Sequence, residues 1–565
     1  MRYDVGRFRR PMRRGVMEQM VSLISLGDGS TLTLDFTTGV LDSRLTFTRA
    51  SDATFINSQG FVQYAAVNYF SNTGWTSGTT PTGWNVTFGT GTTTWNADGT
   101  LTMTAGGSAV RPCINATSFS VAQGIPFTFG FRVTAVSGSP TIDQVISSTV
   151  AGETFSRNGA TVSGSTVVQN GDIISCTFTP TTTSNAARMG PGVNVGVTNI
   201  SITITQPQFN PGTTLQPYYA NTSTIAARWD SARFDYDPDT RAPRGLLVEG
   251  SATNLATQSN GATSVWTIGG NRTPTNNTTD LVSPDNTNNA TKLVCGTAGN
   301  YASFATLITG LTGGGTYTVS YWIRGPVGHT PRLYAVNGTV GDVTPTATTG
   351  TYNNTGWSRL TQTYTLPATT TQVYVYFMSL TIAVTGDTFY VYGFQLETGS
   401  GASSLIPTGA STATRNADNC ELLDLSTMAF NASAGTIYTD VGTRLNTGSQ
   451  RNYTFLPASG GNNQIFEGSG IALNVYSSGS FVAQIGTSTL AAQKIAAAYA
   501  VNDYAVSVAG GAVATDTSGA LPTSLTKLTI GGSIINSAAY MNGCIRVFKY
   551  WPTRLPNATL QSLTT

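Results

Sequence analysis

The sequence predicts an all-β, multidomain protein of tandem β-sandwich or jelly-roll modules, preceded by a short arm that is mostly helical or extended. Three observations predict this class. Period-two alternation recurs in segments such as TYTVSYWIR, Thr316 to Arg324. Only 10% of residues are charged, against roughly 25% in ordinary soluble domains, and Thr, Ser, Asn and Gly replace them. The chain has 565 residues, which is too long for one hydrophobic core.

Residues 1–30 are predicted to be a basic attachment arm, because six arginines fall within MRYDVGRFRRPMRRG. The segment that follows is interrupted by Glu18, and it offers neither a clear cleavage site nor the roughly 18 apolar residues of a membrane span. We expect the arm to dock on an acidic partner surface; the alternative is a disordered, solvated tail. The arginines assigned to attachment are Arg7, Arg9, Arg10, Arg13 and Arg14.

Composition excludes several classes of function. The net charge is +2 and is concentrated in the arm, so the body is close to neutral and is not expected to bind nucleic acid. The five cysteines stand singly, which argues against a disulfide framework or a zinc site. His329 is the only histidine, and no nucleophile elbow, phosphate loop or dinucleotide-binding glycine pattern occurs. We therefore expect no catalytic residues, no metal and no cofactor, and a chain that is not an enzyme.

The middle of the chain contains two segments that repeat one another. Residues 68–224 and 253–415 each open with a Trp-containing stretch, continue through an aromatic strand and a Thr-rich strand, and close with a Gln-hydrophobic strand. We predict an inserted β-sandwich and a second, jelly-roll sandwich. Residues 31–67 and 225–252 carry short alternating strands on both sides of the first segment, so we predict that together they form a small β frame domain.

Residues 421–565 are predicted to form a third sandwich. Strand patterns such as GTIYTDV and DYAVSVAGG run through it, and it closes on YMNGCIRVFKYWPTRLPNATLQSLT, a strand followed by a short C-terminal helix.

The stretch RFDYDPDTRAPRGLLVEG places three aspartates at alternate positions among arginines. A calcium loop of the EF-hand type would need a glycine where Thr240 stands and a glutamate where Leu246 stands. A glycosidase pair would need two carboxylates in different environments, which a Pro-rich turn does not supply. We interpret the stretch as an inter-domain brace of turn-forming residues and Arg–Asp pairs. Its residues are Arg233, Asp235, Asp237, Asp239, Arg241 and Arg244.

Two blocks, LDFTTGVLDSRLTFTRASDATFINSQG and RFDYDPDTRAPRGLLVEGSATNL, resemble bacteriophage virion proteins of the tail-fibre, tail-spike and capsid-fibre kind. In such proteins the two blocks usually lie close together in sequence, whereas here a sandwich separates them. Residues 254–409 look like a carbohydrate-binding jelly roll. Residues 421–565 look like a concanavalin-A/laminin-G-type sandwich, whose usual ending fits Gly543 to Leu555 but departs at Pro556, Asn557 and Thr559.

The resemblance implies a non-enzymatic virion appendage made in the bacterial host cytoplasm. It would attach to other virion proteins of the tail, neck or capsid through its N-terminus, bind host-surface glycans through its sandwiches, and form a homo-oligomer, a trimer by analogy. Two alternatives stay open: a purely structural decoration protein, and a polysaccharide depolymerase, although no β-helix repeat is visible.

A sugar site is predicted on the second module, because aromatic rings stack on sugars and tyrosine adds a polar group. Period two places several tyrosines on common faces. The alternative for any of them is a place in the core. The candidates are Tyr317, Tyr321, Tyr374, Tyr376, Tyr390 and Tyr392.

Overall fold

A computed structural model describes residues 28–71, 73, 75, 80–82, 84–86, 91–105, 114–116, 121–146, 150–182, 189–193, 200–222, 228–260, 266–269, 272–296, 303–326, 331–337, 340–343, 355–379, 384–445, 450–459, 461–468, 470–532 and 539–565. The arginines of the predicted attachment arm, Cys113 and His329 lie outside the described residues. Strands dominate and pair antiparallel in several separate sheets. This confirms the predicted all-β class with tandem β-sandwich modules.

The described chain begins with a flanking segment of short strands and a 3-10 helix at Phe36–Thr38. Its strands are β1 (Leu32–Asp35), β2 (Leu45–Thr48), β3 (Thr54–Ile56) and β4 (Val62–Tyr64). Asp35 caps the 3-10 helix by accepting a hydrogen bond from the Thr37 backbone N–H at 3.0 Å. β3 and β4 pair only with each other, as a hairpin.

The first sandwich follows. Its strands are β5 (Trp84–Val86), β6 (Thr92–Trp95), β7 (Leu101–Thr104), β8 (Ile114–Ala116), β9 (Phe127–Ser137), β10 (Ile142–Ile146), β11 (Val150–Arg157), β12 (Ala160–Val162), β13 (Ile173–Pro180), β14 (Met189–Val193) and β15 (Ser201–Pro211). In the described part they form a four-stranded sheet, β10-β14-β8-β5, and a seven-stranded sheet, β12-β11-β13-β9-β15-β7-β6. Its core is rich in aromatic side chains, including Trp75, Trp84 and Phe129.

The second flanking segment contributes β16 (Arg233–Tyr236) and β17 (Pro243–Val248). The second sandwich comprises β18 (Ala252–Asn254), β19 (Thr267–Gly269), β20 (Arg272–Thr275), β21 (Thr291–Cys295), β22 (Ser303–Thr309), β23 (Thr316–Arg324), β24 (Pro331–Asn337), β25 (Val340–Val343), β26 (Ser358–Thr365), β27 (Gln372–Ser379), β28 (Thr388–Thr398) and β29 (Ala413–Arg415). Its two described five-stranded sheets are β19-β22-β27-β24-β25 and β20-β21-β28-β23-β26.

The C-terminal region contains β30 (Asn419–Leu422), β31 (Ala434–Arg444), β32 (Arg451–Leu456), β33 (Gln464–Gly468), β34 (Ile471–Ser477), β35 (Ser480–Thr487), β36 (Gln493–Ala500), β37 (Asp503–Val508), β38 (Ala514–Asp516), β39 (Lys527–Ile530) and β40 (Gly543–Trp551). A 3-10 helix spans Leu425–Met428, and the chain closes with helix α1 (Asn557–Thr564). Leu560 and Thr564 are the buried residues of α1.

The predicted frame domain does not stand apart from the C-terminal sandwich, and this corrects the boundaries predicted from sequence. β1 and β17 both pair with β40, and β2 pairs with β30. Leu34, Phe47 and Val248 of the flanking segments lie in the same core as the C-terminal Phe548. The short flanking strands are too few to enclose a core alone, so they complete the C-terminal sandwich. We call this unit, residues 31–48, 233–250 and 418–565, the composite sandwich.

The chain enters and leaves each of the other two sandwiches through segments that pair with each other by backbone hydrogen bonds. For the first, Asn68 and Arg228 exchange backbone hydrogen bonds of 3.2 and 3.0 Å. For the second, β18 pairs antiparallel with β29. Each module therefore has its two chain connections side by side, which is the arrangement that lets a domain be inserted into another.

The two inserted modules share a buried asparagine at the point where each begins. The side-chain amide of Asn68 donates to the carbonyls of Pro207 and Tyr219, and its oxygen accepts from Phe70 and Phe209. Asn254 repeats this pattern with Phe394, Ile406, Ala256 and Leu396. Both side chains are 0% exposed and use their full hydrogen-bonding capacity. The equivalence supports an internal repeat.

A buried ionic cluster, which we call the hub, joins the modules. Arg233 is 0% exposed and pairs with Glu249 and Asp418. It also donates to the Thr54 carbonyl at 2.8 Å and to the Ser404 hydroxyl at 2.9 Å. Arg49 joins the hub through Asp418, at 3.1 Å. The flanking segments, the second sandwich and the start of β30 are thereby held at one point.

The hub is electrostatically compensated. Burial acts to raise the pKa of Glu249, but Arg415 and Arg233 lower that pKa to about 2. Burial acts to lower the pKa of Arg233, but Asp418 and Glu249 raise it above its usual range. Both groups therefore stay charged at neutral pH.

The other residues of the predicted brace are more exposed than Arg233, although Asp235 is still buried. Asp235 is buried and accepts a hydrogen bond from the Ile56 backbone at 2.7 Å, which joins β16 to the β3–β4 hairpin. Asp237 accepts from the backbone N–H groups of Asp239 and Thr240 and so closes the turn. Arg244 pairs with Asp237 at 2.8 Å. Arg241 lies in the left-handed region, with φ of 63°, and stacks over Phe61.

We expect Arg233→Ala to destabilise the protein by about 3–5 kcal/mol, because Glu249 and Asp418 would remain buried with only Arg415 and Arg49 to compensate their charges. Arg244→Ala is the matched control on the same hairpin. The Arg244 side chain is 45% exposed, so its loss is expected to cost less than about 1 kcal/mol. Calorimetric unfolding of both variants measures the difference. Equal melting temperatures would contradict the role of the hub.

Burial raises the pKa of Asp235 to about 6, although the Ile56 N–H and Arg244 act to lower it. The native state therefore binds the carboxyl proton of Asp235 more tightly than the unfolded chain does. As a result, the contribution of Asp235 to stability falls as pH rises from about 4 to about 6. We expect Asp235→Asn, which removes the charge, to stabilise the protein relative to the parent by up to about 3 kcal/mol above pH 6.5 and much less at pH 4. Melting temperatures of both proteins across this range give the comparison. A difference that does not change with pH would refute it.

Candidate functional site

The structure separates the tyrosines that the sequence grouped as a sugar site. Tyr317 and Tyr321 are 4% and 0% exposed, and both lie in the core of the second sandwich. Tyr321 stacks on Phe394, with ring centroids 5.2 Å apart. Neither ring has a face open to a ligand, so the prediction that these two bind sugar is wrong. They fill the space between the two sheets.

The described side chains among the remaining tyrosines do not belong to this core. Tyr374 is half-buried on β27; Tyr376 lies on the same strand, but its side chain is outside the described part. Tyr390 is half-buried, and its hydroxyl lies 3.2 Å from Asp280, which also pairs with Lys292. Tyr392 is 5% exposed and packs edge-on against Trp322 where the second sandwich meets β4. Among the described side chains of the six, Tyr392 lines the cleft described below.

This cleft, which we call the junction cleft, has a volume of about 270 Å³ and lies where three parts of the chain meet. One wall is the β3–β4 hairpin and its turn. The second comes from the first sandwich, at residues 124–126 and 211–216. The third comes from the second sandwich, at residues 259–260, 285–289, 392 and 407–408. The cleft therefore exists only when both inserted modules are docked on the hairpin.

The lining of the junction cleft combines aromatic rings with side-chain amides. Phe61, Tyr64 and Tyr392 supply the rings. The amides are Asn57, Gln59, Gln63, Gln216, Asn260, Asn286 and Asn289. Among the described lining residues Asp285 is the only charged side chain, and no Lys or Arg contributes. Amides both donate and accept hydrogen bonds, so this lining matches an uncharged ligand with many hydroxyl groups.

Asp285 is held in place by its own loop. Its carboxylate accepts from the Thr287 hydroxyl at 2.7 Å and from the Asn289 amide at 2.8 Å. Burial raises its pKa, while hydrogen bonds from Thr287, Asn289 and Tyr392 act to lower it. The side-chain oxygen of Asn289 is buried, and no described group donates a hydrogen bond to it. The fixed carboxylate of Asp285 is suited to hydroxyl donors.

Tyr64 and Tyr392 stay protonated in the cleft. Burial, with Asp52 and Asp285 nearby, raises the pKa of Tyr64 well above 10. Burial and Asp285 do the same for Tyr392. Both hydroxyls can therefore donate a hydrogen bond at any physiological pH.

Gln216 and Gly409 fix the walls of the cleft. The Gln216 amide donates to the Tyr64 carbonyl at 3.1 Å and so ties β4 to the first sandwich. The backbone of Ala410 donates to the Gln123 carbonyl at 3.2 Å, which joins the second sandwich to the first. Gly409 beside it has no room for a side chain, because a Cβ there would overlap the Gln123 carbonyl oxygen.

Sequence reasoning missed the components that build the cleft. The stretches FINSQGF and SPDNTNN showed turn-forming residues, but nothing in them indicated that the two turns face each other. Among the described residues, no group of three or more His, Cys, Asp and Glu side chains is arranged to hold a metal ion. In the same part of the chain, no helix is long and apolar enough to cross a membrane.

No family model and no curated protein matches this chain. Among solved structures, it is similar to the N-terminal CBM22-1–CBM22-2 tandem domain of Xyn10C from Paenibacillus barcinonensis. The identity is 14% and the TM-score 0.23, over 62% of this chain and 99% of that chain. The fold and the site described above rest on the sheets and the cleft themselves, not on this similarity.

We expect Gly409→Ala to loosen the junction of the two inserted sandwiches at a cost of about 1–3 kcal/mol, because the added methyl must displace backbone. Gly164→Ala is the control: a Cβ there meets only Phe155, at 3.8 Å. Hydrogen exchange at residues 123–124 and 407–410 should rise in the first variant alone. Unchanged exchange in Gly409→Ala would show that the junction is not held there.

Proposed function

We propose that this chain is a non-enzymatic appendage protein of a bacteriophage virion, and that it binds neutral saccharides of the host surface in the junction cleft. The observation that carries the glycan-binding part is the lining of the cleft, where three aromatic rings and several amides surround a single carboxylate. The virion part is supported by the two sequence blocks around Arg49 and Arg233, which resemble phage appendage proteins.

The charge of the cleft selects the class of saccharide. An acidic sugar would be repelled by Asp285, and no basic residue among the described lining side chains would compensate. A neutral pyranose could stack its C–H face on an aromatic ring and share its hydroxyls between Asp285 and Tyr64. The hydrogen bonds within the 285–289 loop are already formed without ligand, so little ordering would be needed on binding.

The attachment arm and the oligomer complete this proposal. Arg7, Arg9, Arg10, Arg13 and Arg14 would dock on acidic virion neighbours, and the inserted sandwiches would extend from the composite sandwich. One shallow sugar site binds weakly, and several copies on one particle would raise the effective affinity through avidity. A homotrimer by family analogy would present three clefts.

The full-length protein can be tested on an array of neutral and acidic glycans, followed by calorimetric titration of the best neutral ligand. We expect Asp285→Asn to weaken binding by about tenfold, since a hydrogen bond to a charged acceptor contributes about 1.5–3 kcal/mol. Tyr64→Ala should weaken it further.

Asp239→Asn, which changes an exposed turn outside the cleft, should bind like the parent. If no neutral saccharide binds, or if binding is unchanged in both cleft variants, the proposed site is wrong. Imaging of purified virions with a labelled antibody against this chain tests its place on the particle.

A further inference from the structure

A strip of aromatic and cationic side chains lies on the composite sandwich, on the outer face of the sheet β2-β30-β39-β32-β33-β34-β35. Phe466, Tyr476 and Phe481 stand on adjacent strands β33, β34 and β35 and point away from the core that holds Ile465 and Val475. Arg451 at the start of β32 extends over the Phe466 ring. We call these four residues the Arg451 strip.

Among the described residues, the guanidinium of Arg451 has no anionic partner. Its carbon lies 3.1 Å from the centre of the Phe466 ring, and no described group accepts a hydrogen bond from its buried Nη1. Burial alone lowers its pKa to about 10, and no acidic group contributes to that value. By contrast, Arg49, Arg233 and Arg444 all pair with a carboxylate in this structure. A half-buried charge left uncompensated is unfavourable unless a ligand supplies the anion.

The aromatic part of the strip continues toward solvent. Phe466 contacts Phe481 at 6.3 Å between ring centroids, and Phe481 contacts Tyr476 at 5.0 Å. Phe481 is 51% exposed, so its ring presents apolar surface to solvent. The Tyr476 hydroxyl donates to the Gly479 carbonyl at 2.7 Å, so its ring is fixed in orientation.

We propose that the Arg451 strip binds an acidic saccharide. The sugar carboxylate would pair with the Arg451 guanidinium, and the C–H face of the same pyranose would stack on Phe481. Because Nη1 is buried, the other N–H groups of the guanidinium would donate to the carboxylate, in charge-assisted hydrogen bonds. The exposed Phe481 ring, which contacts the Phe466 ring under the guanidinium, offers the apolar surface that a sugar ring covers. A single cation flanked by rings favours one carboxylate on a ring over a polyanion, which would need several basic residues.

This second site is separate from the junction cleft, and the two differ in charge. The cleft carries a carboxylate without a basic partner in its lining, and the strip carries an arginine without an acid. The chain would thus recognise neutral and acidic sugars at different places. The inference shares with the proposed function the premise that the chain binds glycans, but it does not depend on the cleft.

The test uses the full-length protein with trigalacturonate and its methyl ester, which keeps the rings and removes the charge. Saturation-transfer NMR and calorimetric titration report binding. We expect trigalacturonate to bind at least tenfold more tightly than the ester, and this preference to weaken as salt rises. Equal binding of the two ligands would overturn the proposal.

Arg451→Gln should abolish the preference, and Phe481→Ala should weaken binding of both ligands by about threefold to tenfold. Val501→Ala, at an exposed apolar position on the β36–β37 turn, should leave binding unchanged. Phe481 is exposed, so its variant is expected to fold even if Arg451→Gln does not. Unchanged binding in Phe481→Ala would contradict the strip.

The cleft variants separate this inference from the proposed function. Asp285→Asn should reduce binding of neutral saccharides and leave trigalacturonate unaffected, whereas Arg451→Gln should do the reverse. Loss of acidic binding in Asp285→Asn with none in Arg451→Gln would assign the acidic ligand to the cleft and refute the second site.

Discussion

The buried pairing of Arg233 with Asp418 and Glu249 is the interaction on which the arrangement of the modules depends. Each sandwich has its own apolar core, but apolar packing does not dictate how one core is oriented on another. Hydrogen bonds from a planar guanidinium are directional, and here they reach a hairpin carbonyl, a hydroxyl of the second sandwich and two carboxylates. Two of the three walls of the junction cleft, the hairpin and the second sandwich, belong to these same segments, so the hub fixes how those two walls face each other.

The composite sandwich is a continuous core assembled from distant parts of the sequence. β40 pairs with β1, β17 and β31, so the strand near the C-terminus holds segments hundreds of residues apart. Pairing of this kind closes long loops and is slow to form. The inserted modules have local topologies and close on themselves at the Asn68–Arg228 bridge and at β18–β29, so each can fold before the composite core is complete.

Charge is scarce in this chain, and the structure uses it in two ways. In the hub, opposite charges are buried together and compensate each other. At the junction cleft and at the Arg451 strip, a single charge stands beside aromatic rings without a compensating partner. The first use orders the modules. The second sets which ligand each site would bind. A charge that no protein group neutralises favours a ligand with complementary charge or hydrogen-bonding groups.

Local sequence patterns were sufficient to predict the all-β class and the repeat of two modules. Alternation with period two, turn-forming residues and motifs that recur in the same order are all properties of short stretches. The sequence also marked Arg233 and Asp235 as structurally important, because charged residues clustered in a Pro-rich turn need partners. It could not separate Tyr321, which lies in the core, from Tyr392, which lines the cleft, since period two puts residues on alternate faces without saying which face is covered. Tertiary structure decided this, together with the merging of the flanking strands into the C-terminal sandwich and the meeting of Tyr64 with Asp285. Those outcomes depend on strand pairing and module docking between residues far apart in sequence, which no local pattern encodes.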